Sequence, residues 1–455
     1  MTTHALPLTR ERPYGLYAIC FGFFLVLLDT TALNVAAASM ERDFGSTISG
    51  LQWVVNSYTI VFASLVLTAG AVGDRFGAKR LYQIGLALFT SMSLLCAMAP
   101  NVATLIGLRM IQGVGAAAML PASLALLRHA FPDARARASA VAFWASIVSL
   151  GFAAGPALGG ALTFYFGWRS IFLINVPAGV VALLLIRFFV NETAVTKARR
   201  VDWVGQGAAV LSLSALTYAL IEAGRLGWTA PRILTAFGLA ALLAIVLAVV
   251  DRRSPSPVLP RHLFANRSFS ACVAAAVVMG FGMYGTLFIE SIRLQNALHL
   301  SALATGLMIL PFTGAPTITT RAIDRLAAGM HFKPRLVIGH VIAVAGAAAM
   351  TASLGRNGYA VAEIGLALLG VALGFITPAM TTGVLASSPA ETAGVASGIL
   401  NSGRQVGASI GVALMGTLVQ TLGDRGLIAS FAIMLLLFLA MIAVSARTIP
   451  TPRPA

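Results

Sequence analysis

The stretch FLVLLDTTALNV (24–35) holds one carboxylate, Asp29, in a run that is apolar or hydroxylated for more than a helical turn on either side. An ionised acid at the centre of a membrane helix is unfavourable by about 2.5–3.5 kcal/mol, so Asp29 needs a polar cavity or a partner. Arg109, in LIGLRMIQGVGAA (105–117), is the candidate partner. A low dielectric favours the protonated form of a carboxylate and a nearby guanidinium favours the ionised form. A change in their separation would therefore make the acid bind or release a proton, which is the chemistry of proton coupling. A static ion pair that fixes helix packing is the alternative; such pairs are seldom a net gain in stability, which favours the coupling role.

Three further groups of residues could act with this pair. In GAVGDRFGAKR (70–80), Arg75, Lys79 and Arg80 would serve as a basic loop, but Asp74 among Gly70, Gly73 and Gly77 suggests more. Small residues permit close backbone approach and an acid there can cap or pair with a helix end, making a latch on one side of the membrane. In GFAAGPALGG (151–160), Gly151, Gly155, Pro156, Gly159 and Gly160 give a flat helix face with loosened backbone bonding, which packing alone would also explain. Arg404, in SGILNSGRQVGASIG, has no acid on its own helix and would meet an anionic part of a substrate, a carbonyl cluster or a structural partner. Asn34, Gln112, Asn401 and Arg404 are the candidate lining of a central substrate cavity. Glu290 and Arg293 are three apart and share a helix face, which predicts a local ion pair, with an outer substrate contact as the minority reading.

The elements that must position these residues follow from composition. Of 455 residues 58% are hydrophobic and 10% charged, too little charge to cover a soluble protein of this size. A bilayer core about 30 Å thick needs about 20 apolar residues at 1.5 Å each. That window gives fourteen spans: 14–38, 52–73, 80–99, 102–127, 138–163, 169–190, 203–222, 232–250, 268–290, 301–320, 334–353, 359–381, 393–418 and 427–446. Asp29 then lies roughly 8 Å from the outer face and Arg109 roughly 10 Å below it, so their depths agree, while Arg404 lies roughly 16 Å deep.

With both termini cytoplasmic, 22 Lys/Arg fall on the cytoplasmic side, 7 outside (Arg42, Arg169, Arg225, Arg232, Arg293, Arg356 and Arg425) and two, Arg109 and Arg404, within spans. This asymmetry accounts for the net charge of +16, and makes TKARR (196–200) a topology signal and not a nucleic-acid patch. The apolar run after Arg10 and Arg12 is too long for a cleavable signal peptide. GVGAAAMLP, ending at Pro121, is matched by GVALGFITP, ending at Pro378; Gly113/Gly370 and Pro132/Pro389 share the same offset of 257 residues. GDRFGAKR (73–80) is weakly echoed by IDRLAAGMHFKPR (323–335). The expected architecture is an all-α polytopic membrane protein of 6+2+6 helices around a central site. Its parts are a tail (1–13), a six-helix half (14–190), an inserted pair with flanking loops (191–267), a second half (268–446) and a tail (447–455).

Other chemistry finds no support. There is no G-x-x-x-x-G-K-[ST] for ATP, no nucleophile with its base, and no histidine pair at metal-ligand spacing. No cofactor and no metal are expected. Cys20, Cys96 and Cys272 lie in apolar runs and read as small core residues. Only three of the 31 basic residues are lysine, which with the Ala and Gly bias points to a GC-rich bacterial genome.

Six motifs in order carry a resemblance. LDTTALNVA (28–36), GAVGDRFGAKR, LRMIQGVGAA (108–117), GFAAGPALGG, WRSIFLINVPAG (168–179) and GVASGILNSGRQVGASIGVAL (394–414) resemble the fourteen-helix drug:proton antiporter branch of the major facilitator superfamily, from about Leu25 to Leu418. Within it the run is most similar to actinomycete antibiotic exporters of the methylenomycin-resistance kind. The resemblance implies the major facilitator fold, proton coupling at Asp29 and Arg109, an inner gate at Asp74 and Arg75, and an antiporter helix carrying Gly151, Gly155, Pro156, Gly159 and Gly160. Two departures matter: the second-half loop copy at Asp324 and Arg325 is degraded, so a symmetric gate is not expected, and 394–418 hold Arg404 and no acid, so a neutral or anionic antibiotic is expected over a dication. The expected function is proton-coupled export of small hydrophobic drugs by alternating access, from a monomer in the bacterial inner membrane. The rivals are a same-fold transporter of a metabolite, amino acid or lipid, and a non-transporting membrane sensor, for which the tails are short.

Overall fold

The computed structural model describes residues 12–193, 202–326, 329–353, 358–389 and 392–450, and among these there is no β-strand. TKARR (196–200) and Arg356 lie outside the described residues, as does the side chain of Asp324. The helices are α1 (Arg12–Phe44), α2 (Ile48–Phe76), α3 (Ala78–Ala97), α4 (Val102–Ala130), α5 (Ala134–Phe166), α6 (Ser170–Leu173), α7 (Asn175–Phe189), α8 (Trp203–Leu226) and α9 (Pro231–Arg253). They continue with α10 (Arg261–Phe264), α11 (Arg267–Ile292), α12 (Ala302–Met308), α13 (Leu310–Leu326), α14 (Phe332–Ser353), α15 (Tyr359–Ala386), α16 (Ala393–Leu422) and α17 (Asp424–Thr448). A π-helical turn, Arg293–Ala297, prolongs α11.

Fourteen segments are long and apolar enough to cross a membrane, as the sequence predicts, though most helices overrun the predicted bounds. At 33 residues α1 extends about 50 Å, well beyond a bilayer core of about 30 Å. Two predicted spans are broken helices: 169–190 is α6 and α7, and 301–320 is α12 and α13. The short α10 was not predicted; it follows the turn in which Asp251 accepts from the backbone N–H of Val258 and Leu259. Helix starts are set by short polar residues: Asn101, Asp133, Asp202 and Asn266 each accept from a backbone N–H of the following turn, at 2.8–2.9 Å. Each such cap contributes about 1 kcal/mol.

The repeat seen in the sequence is a repeat of packing. α1 lies on α5 as α11 lies on α16, α2 on α4 as α13 on α15, and α3 on α4 as α14 on α15. The paired glycines serve equivalent crossings. A Cβ on Gly113 would stand 2.7 Å from the Tyr58 carbonyl oxygen of α2, and one on Gly370 2.6 Å from the Phe312 carbonyl oxygen of α13. Real Cβ atoms do not approach so closely, and only glycine lets these backbones meet.

α8 and α9 pack on each other, and α8 also lies on both α2 and α16. Glu222 of α8 accepts from the Trp53 indole at 3.0 Å, while Thr417 of α16 donates to the Leu220 carbonyl at 2.8 Å. The inserted pair therefore bridges the seam between the two halves.

The bundle has a near end, with the start of α1 and the α2–α3 turn, and a far end, with the α1–α2 turn. At the far end the halves are tied: Gln295 donates to the Val35 carbonyl at 2.7 Å, Asn296 to Glu41 at 2.8 Å, and Ser49 to Gln420 at 2.9 Å. Midway, Thr313 of α13 donates to the Ala153 carbonyl of α5 at 3.2 Å. From there to the near end α5 exposes Ser146, Ser149 and Leu150, and α13 exposes Ile318 and Arg321.

Candidate functional site

Asp29 and Arg109 meet. Nη1 of Arg109 lies 2.5 Å from Oδ2 of Asp29, with side-chain exposures of 1% and 0%. Arg109 is the largest fully buried side chain among the described residues. Neighbouring polar groups on α1 donate within the helix: Thr30 to the Val26 carbonyl, Thr31 to that of Leu27 and Asn34 to that of Thr30, at 2.7–2.9 Å. Asp29 reaches across to the Arg109 side chain of α4.

The pair sits in a buried polar cluster larger than the sequence leads one to expect. The second carboxylate oxygen, Oδ1, accepts from Nδ2 of Asn175 at 3.1 Å, and that amide also lies 3.0 Å from Oγ of Ser93. Asn175 is the first residue of α7, placed by the break between α6 and α7, and Ser93 holds that break by donating to the Phe172 carbonyl at 3.0 Å. Gln112, one turn along α4, accepts from Nη1 of Arg109 at 2.8 Å, and Cys96 lies 3.8 Å from the same oxygen. The guanidinium lies over the Tyr58 ring, 4.2 Å from its centroid, with Phe172 at 5.8 Å. One signal could have found Asn175: an amide inside the apolar run IFLINV poses the same question as Asp29. The arrangement is a carboxylate with one charged and one neutral donor, closed off from water.

At the α2–α3 turn, Gly77 adopts φ +95°, a conformation that disfavours other residues, and a Cβ there would stand 2.7 Å from the Glu192 carboxylate. Glu192 accepts from the backbone N–H of Lys79 at 2.9 Å and Arg80 at 3.1 Å, and Thr193 accepts from that of Ala78 at 2.9 Å. These are the orphan donors at the start of α3, favoured by an anion. Lys79 Nζ donates to the Arg187 carbonyl at 3.2 Å. Glu192 was not among the expected gate residues, and it lies more than a hundred residues from the turn that it caps. Asp74 and Arg75 are exposed, Gly73 is buried, and Gly70 faces Pro121 of α4.

The glycines of α5 face two ways. Cβ atoms on Gly151 and Gly159 would stand 2.8 Å from the Phe24 carbonyl oxygen and 2.7 Å from Cα of Ala32, both on α1, and one on Gly155 would overlap Thr31. A Cβ on Gly160 would overlap the Ala302 carbonyl of α12, and one on Gly306 the Pro156 carbonyl. α5 is thus clamped between α1, which bears Asp29, and α12 of the other half.

The four residues predicted to line a cavity separate into two places. Asn34 and Gln112 are fully buried, and Gln112 belongs to the ion-pair cluster. Asn401 and Arg404 are half-buried on α16, joined by a bond of 2.6 Å from Nη2 to Oδ1. Glu290 and Arg293 form the local pair expected of them, Nη2 to Oε2 at 2.8 Å and Nε to both carboxylate oxygens at 2.9–3.1 Å.

Residues 19–412 match the Major Facilitator Superfamily. The chain is 35% identical over 412 residues to the multidrug resistance protein Stp of Mycobacterium tuberculosis, covering 90% of this chain and 76% of that protein. It is 33% identical over 417 residues to the methylenomycin A resistance protein of Streptomyces coelicolor, covering 91% and 88%, and 36% identical over 409 residues to that of Bacillus subtilis, covering 89% and 87%. Its fold is similar to a D-xylose–proton symporter, with a TM-score of 0.70 at 14% identity over 96% of this chain and 97% of that one. A bacterial homologue of the lysosomal transporter Spinster, inward-facing and unoccupied, gives 0.68 at 15% identity over 96% and 97%. The chain is a multi-pass membrane protein and belongs to the Major Facilitator Superfamily, a family of transporters and not of enzymes.

Proposed function

We propose that the chain exports small hydrophobic compounds, antibiotics first among them, in exchange for protons. The observation that carries this reading is the dry ion pair between α1 and α4: a carboxylate whose charge is matched across a helix boundary has a protonation state tied to the spacing of those helices. When Asp29 takes a proton its bond to Arg109 loses the ionic part, and α1 is freed to shift on α4. Asn175 keeps hold of the acid through either state, as an amide can donate to one form and accept from the other. α5, clamped between α1 and α12, carries that shift to the other half.

The near end is cytoplasmic, since it bears most of the basic residues, and the membrane is the bacterial inner membrane. The far end is tied by Gln295, Asn296 and Ser49, and α2 and α16 stay joined toward the near end, where Ser402 donates to the Ala63 carbonyl at 2.9 Å. The parts are the tail 1–13, the half 14–190, the insertion 191–267, the half 268–446 and the tail 447–455, working as a monomer. A half-buried Arg404 with no acid on α16 favours neutral or anionic substrates. Relatives named for multidrug, methylenomycin and tetracenomycin C resistance support the drug reading over a metabolite.

The test is accumulation of an antibiotic and dye panel in an efflux-deficient bacterium expressing wild type or Asp29→Asn, with and without a protonophore. Lower accumulation only in the energised wild type is expected. Equal accumulation of every compound, with the protein present in the membrane, would turn the reading toward a metabolite transporter.

A further inference from the structure

Protonation of Asp29 raises a problem that the ion pair does not answer by itself. Arginine does not give up its proton in proteins, so a protonated Asp29 leaves Arg109 as a buried cation with no counter-ion. Its remaining bonded neighbour is neutral, the Gln112 carbonyl oxygen at 2.8 Å, and its Nε has no hydrogen-bond partner among the described residues. What the guanidinium does have is a ring face: its central carbon is 4.2 Å from the centroid of Tyr58, with Phe172 at 5.8 Å on another side.

The backbone is built to bring Tyr58 there. Arg109 and Gly113 are one turn apart on α4 and so share a face, and Gly113 is where α4 closes on the Tyr58 carbonyl of α2. A larger residue at 113 would push the ring off the guanidinium. Tyr58 is 1% exposed, so its interaction with the cation is undiluted by water.

We infer that Tyr58 is a positioning residue that holds Arg109 through the protonated half of the transport cycle, by the face of its ring and not by its hydroxyl. The ring's negative face favours the cation that protonation of Asp29 leaves without a counter-ion, and keeps Arg109 in register for the return of the pair. The groups that face the pair are Asn175 from α7, Ser93 and Cys96 from α3, Phe172 from α6 and Gln112 from α4. Among the described residues no other acid or base is bonded to the pair.

The inference rests on the proton-coupled reading, but its test does not need transport. Purified protein is titrated with pH in infrared difference spectra, following the carboxylic-acid band that Asp29→Asn removes. Tyr58→Phe keeps the ring and is expected to leave the midpoint of that band in place. Tyr58→Leu and Tyr58→Met remove the ring and are expected to move the midpoint to lower pH by about one unit. Proton-driven export, where the substrate panel has found one, should shift its pH profile in the same direction in those two variants and recover in Tyr58→Phe. An unchanged midpoint in both ring-less variants would overturn the inference, as would an equal shift in Tyr58→Phe, which would assign the effect to the hydroxyl. A wild type that exports nothing would sink the export reading while the infrared midpoints still judged Tyr58.

Discussion

The two halves each bury an acid beside an arginine, and the two pairs are built differently. Asp29 and Arg109 come from different helices eighty residues apart and are both sealed from solvent. Glu290 and Arg293 come from one helix, three residues apart, with the guanidinium 14% exposed. A pair on one helix moves as a unit and its geometry survives any rearrangement of the bundle. A pair between helices does not, so the bond of the N-terminal pair depends on how α1 sits against α4. The same length of apolar helix holds both; what separates them is whether the bond crosses a helix boundary.

That contrast sets the order of expected effects. Arg109→Ala should be the most damaging, since it strands a buried carboxylate; breaking a buried pair from one side costs about 3–5 kcal/mol. The three buried cysteines offer a thiol-reactive readout of unfolding temperature, and an unshifted midpoint would contradict the geometry. Glu290→Gln should cost less, about 2 kcal/mol for weakened charge-assisted bonds, and should leave any export proton-dependent. Loss of proton dependence in Glu290→Gln would erase the distinction between the pairs. Glu192→Ala removes the anion from the start of α3 and should lower stability by about 1 kcal/mol in the same assay. Asp43→Ala, which breaks an exposed pair with Arg169 at 2.6 Å and the bond from the buried Trp168 indole at 2.9 Å, should lower stability by about 0.5–1 kcal/mol.

Sequence and structure agree where one-dimensional physics is strong. Fourteen spans follow from apolar run length, and the Asp29–Arg109 pairing from two charges at one depth. The 257-residue offset reads as a repeat because each copy needs glycine at the same backbone crossing, Gly113 on Tyr58 and Gly370 on Phe312. What escaped is what the chain supplies from afar. Asn175 joins Asp29 across 146 residues and Glu192 caps Lys79 across 113, and sequence separation of that size hides which groups meet, even where an amide in the apolar run IFLINV signals a need for a partner. Tyr58 escaped for another reason: a tyrosine in an apolar helix reads as core, and only the ring's position over a cation gives it a second role. Broken helices were hidden too, since α6–α7 and α12–α13 each remain apolar across the break.

If protonation of Asp29 drives transport, substrate must displace a proton from the purified protein. Once the panel has supplied a substrate, it is added to wild type and to Asp29→Asn in weakly buffered detergent solution with a pH-sensitive dye. Substrate-induced proton release is expected from the wild type and none from the variant, with substrate still bound by both. Equal release from the variant, or uphill export by it at the wild-type rate under a proton gradient, would contradict a coupling role for Asp29.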